Sequence, residues 1–198
     1  MKTDVCKLDN NAVSLERALS EVEKLAAYHE YDKKKTGRLR LLAEELINMV
    51  PALLEYADGV FWAENDGNLV ELHVSLVPTT IMNADAREKL LSVSSSGKNA
   101  AAVGIMNKIR IATELMLLDY AEVSASMPLS HDFYEQGMTT MPIFSDPLWS
   151  LNEYRMKAAE KKGEQWDELE KSIIANLADD VLVGIQGKKV DIIVKKTF

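Results

Sequence analysis

Glu44 and Asn48 are the two side chains of this sequence best placed to act together. They lie in Leu42-Ala43-Glu44-Glu45-Leu46-Ile47-Asn48. A four-residue step on a helix makes neighbours, so a carboxylate and a carboxamide point the same way beside an apolar stripe. A second candidate is Ser95-Ser96-Gly97-Lys98-Asn99-Ala100-Ala101-Ala102-Val103-Gly104, small residues leading into a helical pattern. Free backbone amides near Gly97, with Lys98 beside them, could hold an anion at a helix start. A serine-rich loop ending in a helix N-cap explains the same residues. His29, His73 and His131 share no metal-ligand spacing, which favours ordinary polar roles. No serine sits in a Gly-x-Ser-x-Gly context, which argues against a hydrolase elbow.

The elements that position these residues follow from hydrophobic periodicity. Leu39, Leu42, Leu46, Val50 and Leu53 recur in steps of three or four and define a helix whose apolar face is core. Pro51 lacks an amide hydrogen and crowds the carbonyl of residue 47, which predicts a kink or an early end near Asn48. Upstream, Val13, Leu15, Leu19, Val22 and Leu25 give an amphipathic helix over about 11–29, with Gly37 separating it from the second helix, expected to start near Thr36 or Arg38. Lys33-Lys34-Lys35 reads as a solvated approach to that helix. Val5, Cys6 and Leu8 are inward positions of a short edge strand.

Two hairpins are predicted. Residues 59–64 and 69–77 flank Asn65-Asp66-Gly67-Asn68, whose Asp-Gly pair favours a tight turn. In the second run, Val70, Leu72, Val74 and Leu76 fall on one side and Glu71, His73 and Ser75 on the other. The last hairpin alternates Val181, Val183 and Ile185, then Val190, Ile192 and Val194. Between the hairpins lie a short helical piece near Ala86–Leu91 and a long helix over about 100–122. An irregular stretch rich in Pro, Met and aromatics follows at 123–150, then a helical stretch from Leu151 to Leu177, broken near Gly163. The Met and aromatic cluster of 127–149 is a core-covering flap or, if exposed, a partner-binding surface.

At 198 residues the chain suits one domain, 1–198, with a sizeable insertion. Its formal net charge of −8 gives no general attraction for nucleic acid or anionic membrane. Cys6 is the only cysteine, which excludes an internal disulfide and a multi-cysteine zinc site and points to a reducing compartment. With no apolar run of membrane-spanning length, the expected location is cytoplasmic.

The order of elements, the Glu-x-x-x-Asn helix, the Ser/Gly loop before a helix and the closing hairpin ending in Lys-Lys-Thr-Phe together resemble the histidine-kinase-like ATPase fold. Within it, the chain is similar to the anti-sigma factor and serine-protein kinase branch. The resemblance covers most of the chain apart from about 123–170, which would be the insertion. It implies an α+β fold, a two-layer α/β sandwich whose mixed, mostly antiparallel sheet is covered on one face by helices (Bergerat-like). It implies ATP and magnesium as cofactors, with Glu44 as the catalytic base and Asn48 as the metal ligand. Gly97, Lys98, Asn99 and Gly104 would cradle the phosphates. Phosphoryl transfer needs such a set, a hard cation on oxygen ligands and a base near the acceptor. The adenine-reading Asp-x-Gly motif of that family has no counterpart in Leu76-Val77-Pro78-Thr79-Thr80-Ile81-Met82-Asn83-Ala84-Asp85. The resemblance therefore implies a bacterial signalling protein with a degenerate nucleotide site. Its partner would be a regulatory protein, a sigma factor or an antagonist of one, with a homodimer compatible and neither nucleic acid nor membrane involved. The alternative is a non-enzymatic interaction module on the same scaffold.

Overall fold

The chain folds as two layers, a six-stranded antiparallel sheet and helices against one of its faces, in a computed structural model. The structure describes residues 1–9, 12–53, 57–79, 105–106, 108–110, 112–113, 149–161, 169, 172–186 and 189–198. In chain order the elements are β1 (Cys6–Leu8), α1 (Ala12–Tyr28), α2 (Lys33–Leu53), β2 (Ala57–Asp66), β3 (Leu69–Pro78), β4 (Trp149–Ser150), α3 (Leu151–Lys161), α4 (Ile173–Leu177), β5 (Asp180–Gln186) and β6 (Lys189–Thr197). The strands lie in the order β1-β2-β3-β6-β5-β4, and every described pairing is antiparallel.

Alternation along each strand fixes the two faces. Cys6, Phe61, Val74, Ile192, Val183 and Trp149 form one cross-strand row, and all point to the helical side. That face carries the core: Leu8, Phe61, Val70, Leu72, Val74, Leu76, Val181, Val183, Val190, Ile192 and Val194 are buried, together with Val22 and Leu25 of α1 and Leu39, Leu42, Leu46, Val50 and Leu53 of α2. The apolar stripe expected on the second helix is thus the core face, and the inward positions of both hairpins are as predicted.

The first helix agrees with its expected span, but the break before the second does not fall at Gly37. Helix α1 ends in a Schellman motif, with the Glu30 N–H bonding the Ala27 carbonyl and the Tyr31 N–H bonding that of Ala26. Glu30 takes the left-handed conformation at φ 52°. Asp32 then caps α2, its Oδ1 accepting from the Lys35 amide at 2.8 Å. Cap chemistry therefore places the start at Lys33, the lysine run becomes the first turn, and Gly37 lies exposed inside the helix. Nor does Pro51 end the helix near Asn48. It continues to Leu53, where complete burial of Val50 and Leu53 offsets the hydrogen bond that Pro51 cannot make.

The helical piece near 86–91, the serine-rich loop and most of the 123–150 excursion lie outside the described residues. Helical backbone at 105–106, 108–110 and 112–113 falls within the long helix expected over 100–122, with Ile105 and Ile109 in the core. Trp149 to Lys161, part of the expected insertion, add strand β4 to the sheet edge and place Leu151 and Ala158 of α3 in the same core.

One guanidinium holds the α3 end together. Arg155 donates to the carbonyls of Ala175, Ala178 and Asp179 and to Asn152 Oδ1, gathering the end of α4 and the entry to β5 onto α3. Asp180 Oδ1 completes the link by accepting from the Asn152 amide at 3.0 Å. A point-like ammonium cannot serve three carbonyls in this fixed geometry. Arg155→Lys is expected to cost about 2 kcal/mol, read as a fall of ~4–8 °C in Tm by calorimetry; an unchanged Tm would remove this staple from the account.

Candidate functional site

Glu44 and Asn48 share the outward side of α2. Glu44 Oε1 accepts from Arg40 Nε at 2.8 Å, and the same guanidinium pairs with Glu23 of α1. The carboxylate expected to act as a base is therefore one arm of a surface ion-pair triad centred on Arg40, which clips α2 to α1, and Asn48 is exposed one turn further on. Gly97, Lys98, Asn99 and Gly104 lie outside the described residues. Among the described residues no group of three or more His, Cys, Asp and Glu side chains is arranged to hold a metal ion.

The outer face of the sheet, opposite the helices, gathers a different set. In the register, Trp62 faces His73, which faces Ile193, while Val60 faces Ser75, which faces Asp191. Alternation puts all of them on one surface. The rings of Trp62 and His73 stack at 4.7 Å with an interplanar angle of 5°. His73, Ser75 and Asp191 are buried, at 9%, 3% and 6% exposure. The Ser75 hydroxyl stands opposite the Asp191 carboxylate across β3 and β6 and favours its charged form. His73 Nε2 and Asp191 Oδ1 have no hydrogen-bond partner among the described residues. Burying polar atoms unpartnered carries a cost of about 1–3 kcal/mol each, which a purely structural sheet face would avoid by using apolar residues.

A charged rim borders this polar patch. Glu64 and Glu71 stand directly opposite each other on β2 and β3, an arrangement of like charges that needs compensation. Lys2 supplies it on one side, its ammonium 2.9 Å from Glu64 Oε1 and 4.5 Å from the centre of the Trp62 ring. Lys195 supplies it on the other, 2.9 Å from Glu71 Oε1. Glu71 Oε2 lies 3.7 Å from His73 Nε2, linking rim to patch. The Trp62 indole N–H also donates to Glu64 Oε1, at 2.6 Å. Lys2 first, with Trp62, holds the Glu64 carboxyl below its usual range. Lys2, Glu64, Asn65, Asp66, Leu69 and Glu71 line a cleft of about 260 Å³ at this end of the hairpin.

Burial acts on His73 and Asp191 in opposite directions. It lowers the His73 pKa below 6.5, against the raising effect of Glu71 and Glu64, so the imidazole is neutral in the fold at neutral pH. It raises the Asp191 pKa above 3.8, against the Ser75 hydrogen bond and Lys189. For His73 the stability is fully present above its unfolded value of 6.5 and is lost as pH falls through the folded value. For Asp191 the penalty is absent below 3.8 and grows as pH rises through the raised folded value.

Alternation already puts His73 and Ser75 together on the polar side of a strand, but not the partner opposite. Asp191 sits inside Val190-Asp191-Ile192-Ile193-Val194, a run that reads as core, and only the β3–β6 register brings it against Ser75. A lone acid within an apolar strand is the signal that could have found it.

Two outcomes are expected from substitution. Asp191→Asn removes a buried charge at nearly constant shape, so it gains about 1 kcal/mol at pH 7, with the gain shrinking toward pH 4 in a denaturant series. His73→Phe keeps the stack on Trp62 and abolishes the stability loss that wild type shows on acidification below pH 6.5. If the two chains lose stability in parallel across that range, His73 is not the group responsible.

No protein-family model and no curated protein matches the chain.

Proposed function

We infer that the chain is a non-enzymatic interaction module of the bacterial cytoplasm that holds a regulatory protein partner, using the outer face of the sheet. The observation that carries this reading is the pair of buried polar atoms without a hydrogen-bond partner among the described residues, His73 Nε2 and Asp191 Oδ1, beside a stacked Trp62 and a charged rim. Folded proteins keep such costly groups where binding uses them. Tryptophan and charged side chains around a desolvated centre are also the composition of an interface hot spot.

The competing reading is an ATP- and magnesium-dependent serine kinase with Glu44 as base. It requires Glu44 to give up Arg40, the cation shared with Glu23, and Asn48 to gather a metal from an exposed position. Among the described residues, no helix is long and apolar enough to cross a membrane, which is compatible with the location proposed.

Thermal unfolding with ATP and magnesium separates the two. A ligand at a hundred times its Kd stabilises by about 2.7 kcal/mol, worth ~5–11 °C for a chain of this size. The module reading expects no shift. A shift of that size that disappears in Glu44→Gln and Asn48→Ala would overturn it in favour of the nucleotide site.

A further inference from the structure

The charged cleft already contains a cation, and the segment that delivers it is only half anchored. Residues 1–3 lie along β2 as a strand would. The Thr3 amide bonds the Ala63 carbonyl at 2.9 Å, the Ala63 amide bonds Thr3 Oγ1 at 2.9 Å, and the Asn65 amide bonds the Met1 carbonyl at 2.7 Å. Lys2 pairs with Glu64 as an isolated bridge, whereas β1 proper pairs Cys6 with Phe61. From Lys2 to Cys6 is four steps along one strand, and from Glu64 to Phe61 is three along the other, so one extra residue is accommodated between them, as in a β-bulge.

The two halves on either side of that bulge are held very differently. Cys6 and Leu8 are each 2% exposed and belong to the core. Asp4 and Val5 are exposed, and the segment before them is held outside the apolar core, by backbone bonds, by the buried Thr3 hydroxyl on the Ala63 amide and by Lys2. Lifting residues 1–4 at the bulge would leave the core intact and bare the β2 edge from Trp62 to Asp66.

We propose that residues 1–4 are a displaceable cis ligand, and that the edge they cover, with the Glu64–Glu71 cleft and the Trp62 ring beside it, binds an extended lysine-bearing segment of the partner by strand addition. This rests on the interaction-module reading and names how the partner is recognised. The edge amides and carbonyls supply affinity without regard to sequence, and the cleft selects a cation at the position Lys2 now occupies. Three features favour a positive side chain there: the Trp62 ring face, the Glu64 carboxylate that already accepts from an ammonium, and Glu71 directly across the hairpin. The net charge of −8 steers such a segment toward the chain. A tethered strap competes at an effective concentration in the millimolar range, so its release controls access.

The test uses a fluorescein-labelled peptide of alternating lysine and threonine, followed by anisotropy against the full chain, a chain lacking residues 1–4 and the point variant Lys2→Glu. Lys2→Glu repels its own strap from Glu64 without shortening the chain, so it answers the question even if the truncated form does not fold. Both variants are expected to bind at least about tenfold tighter than the full chain. Adding Glu64→Gln to either removes most of that gain, whereas adding Glu153→Gln, on α3, leaves it. Equal affinity for all three chains, or an equal loss with Glu153→Gln, would overturn the proposal. An ATP-dependent shift in Tm would overturn the module reading instead, so the two failures are distinct.

Discussion

The structure depends on one long-range pairing, β3 against β6. Leu69 to Leu76 lie beside Val190 to Thr197 at the centre of the sheet. Each strand is the inner member of its own hairpin, so within the sheet this seam joins the β1-β2-β3 half to the β6-β5-β4 half. Closing a loop of more than a hundred residues costs chain entropy that grows only slowly with length. The seam recovers it through two rows of buried side chains, Leu72 with Val194 and Val74 with Ile192, continuous with the helical core on one side. The same seam sets Ser75 against Asp191 and His73 against Ile193 on the other side. Core and candidate site are thus two faces of a single register.

This explains which features were legible in the sequence. The helical stripes, the inward rows of both hairpins and the fold class follow from periods of 3.6 and 2, which are local. The Asp-Gly pair placed its hairpin correctly, with Gly67 in the left-handed conformation at φ 60°. Helix ends were less legible, because a Schellman turn at Glu30 and an Asp32 cap outweighed the glycine at 37. At Pro51 tertiary burial overrode a local preference. The candidate site was least legible, since neighbours across β3 and β6 are more than a hundred residues apart in sequence and no local pattern records them. The Glu44 and Asn48 pair illustrates the converse. Their shared helical face was correctly read, but i,i+4 spacing equally serves a surface ion pair, and Arg40 four residues before Glu44 is the partner found.

The outer face also shows a conflict between stability and use. A sheet face covered only with valine and threonine would be more stable than one holding a neutral histidine and a carboxylate oxygen that has no partner among the described residues. Lys195 and Lys2 neutralise the facing glutamates. The result is a surface whose electrostatic compensation comes from flexible side chains, which a competing cation can replace at modest cost.

The central place of β6 has a consequence for how the molecule is made. During vectorial synthesis the first hairpin and both long helices leave the ribosome well before residues 189–197 do. Until those residues emerge, β3 presents an unpaired hydrogen-bonding edge beside Leu72, Val74 and Leu76, a template for pairing with the wrong chain. The nascent molecule therefore passes through an interval in which its middle strand is an outside strand, and protection of that edge during translation governs how much of it reaches the native sheet.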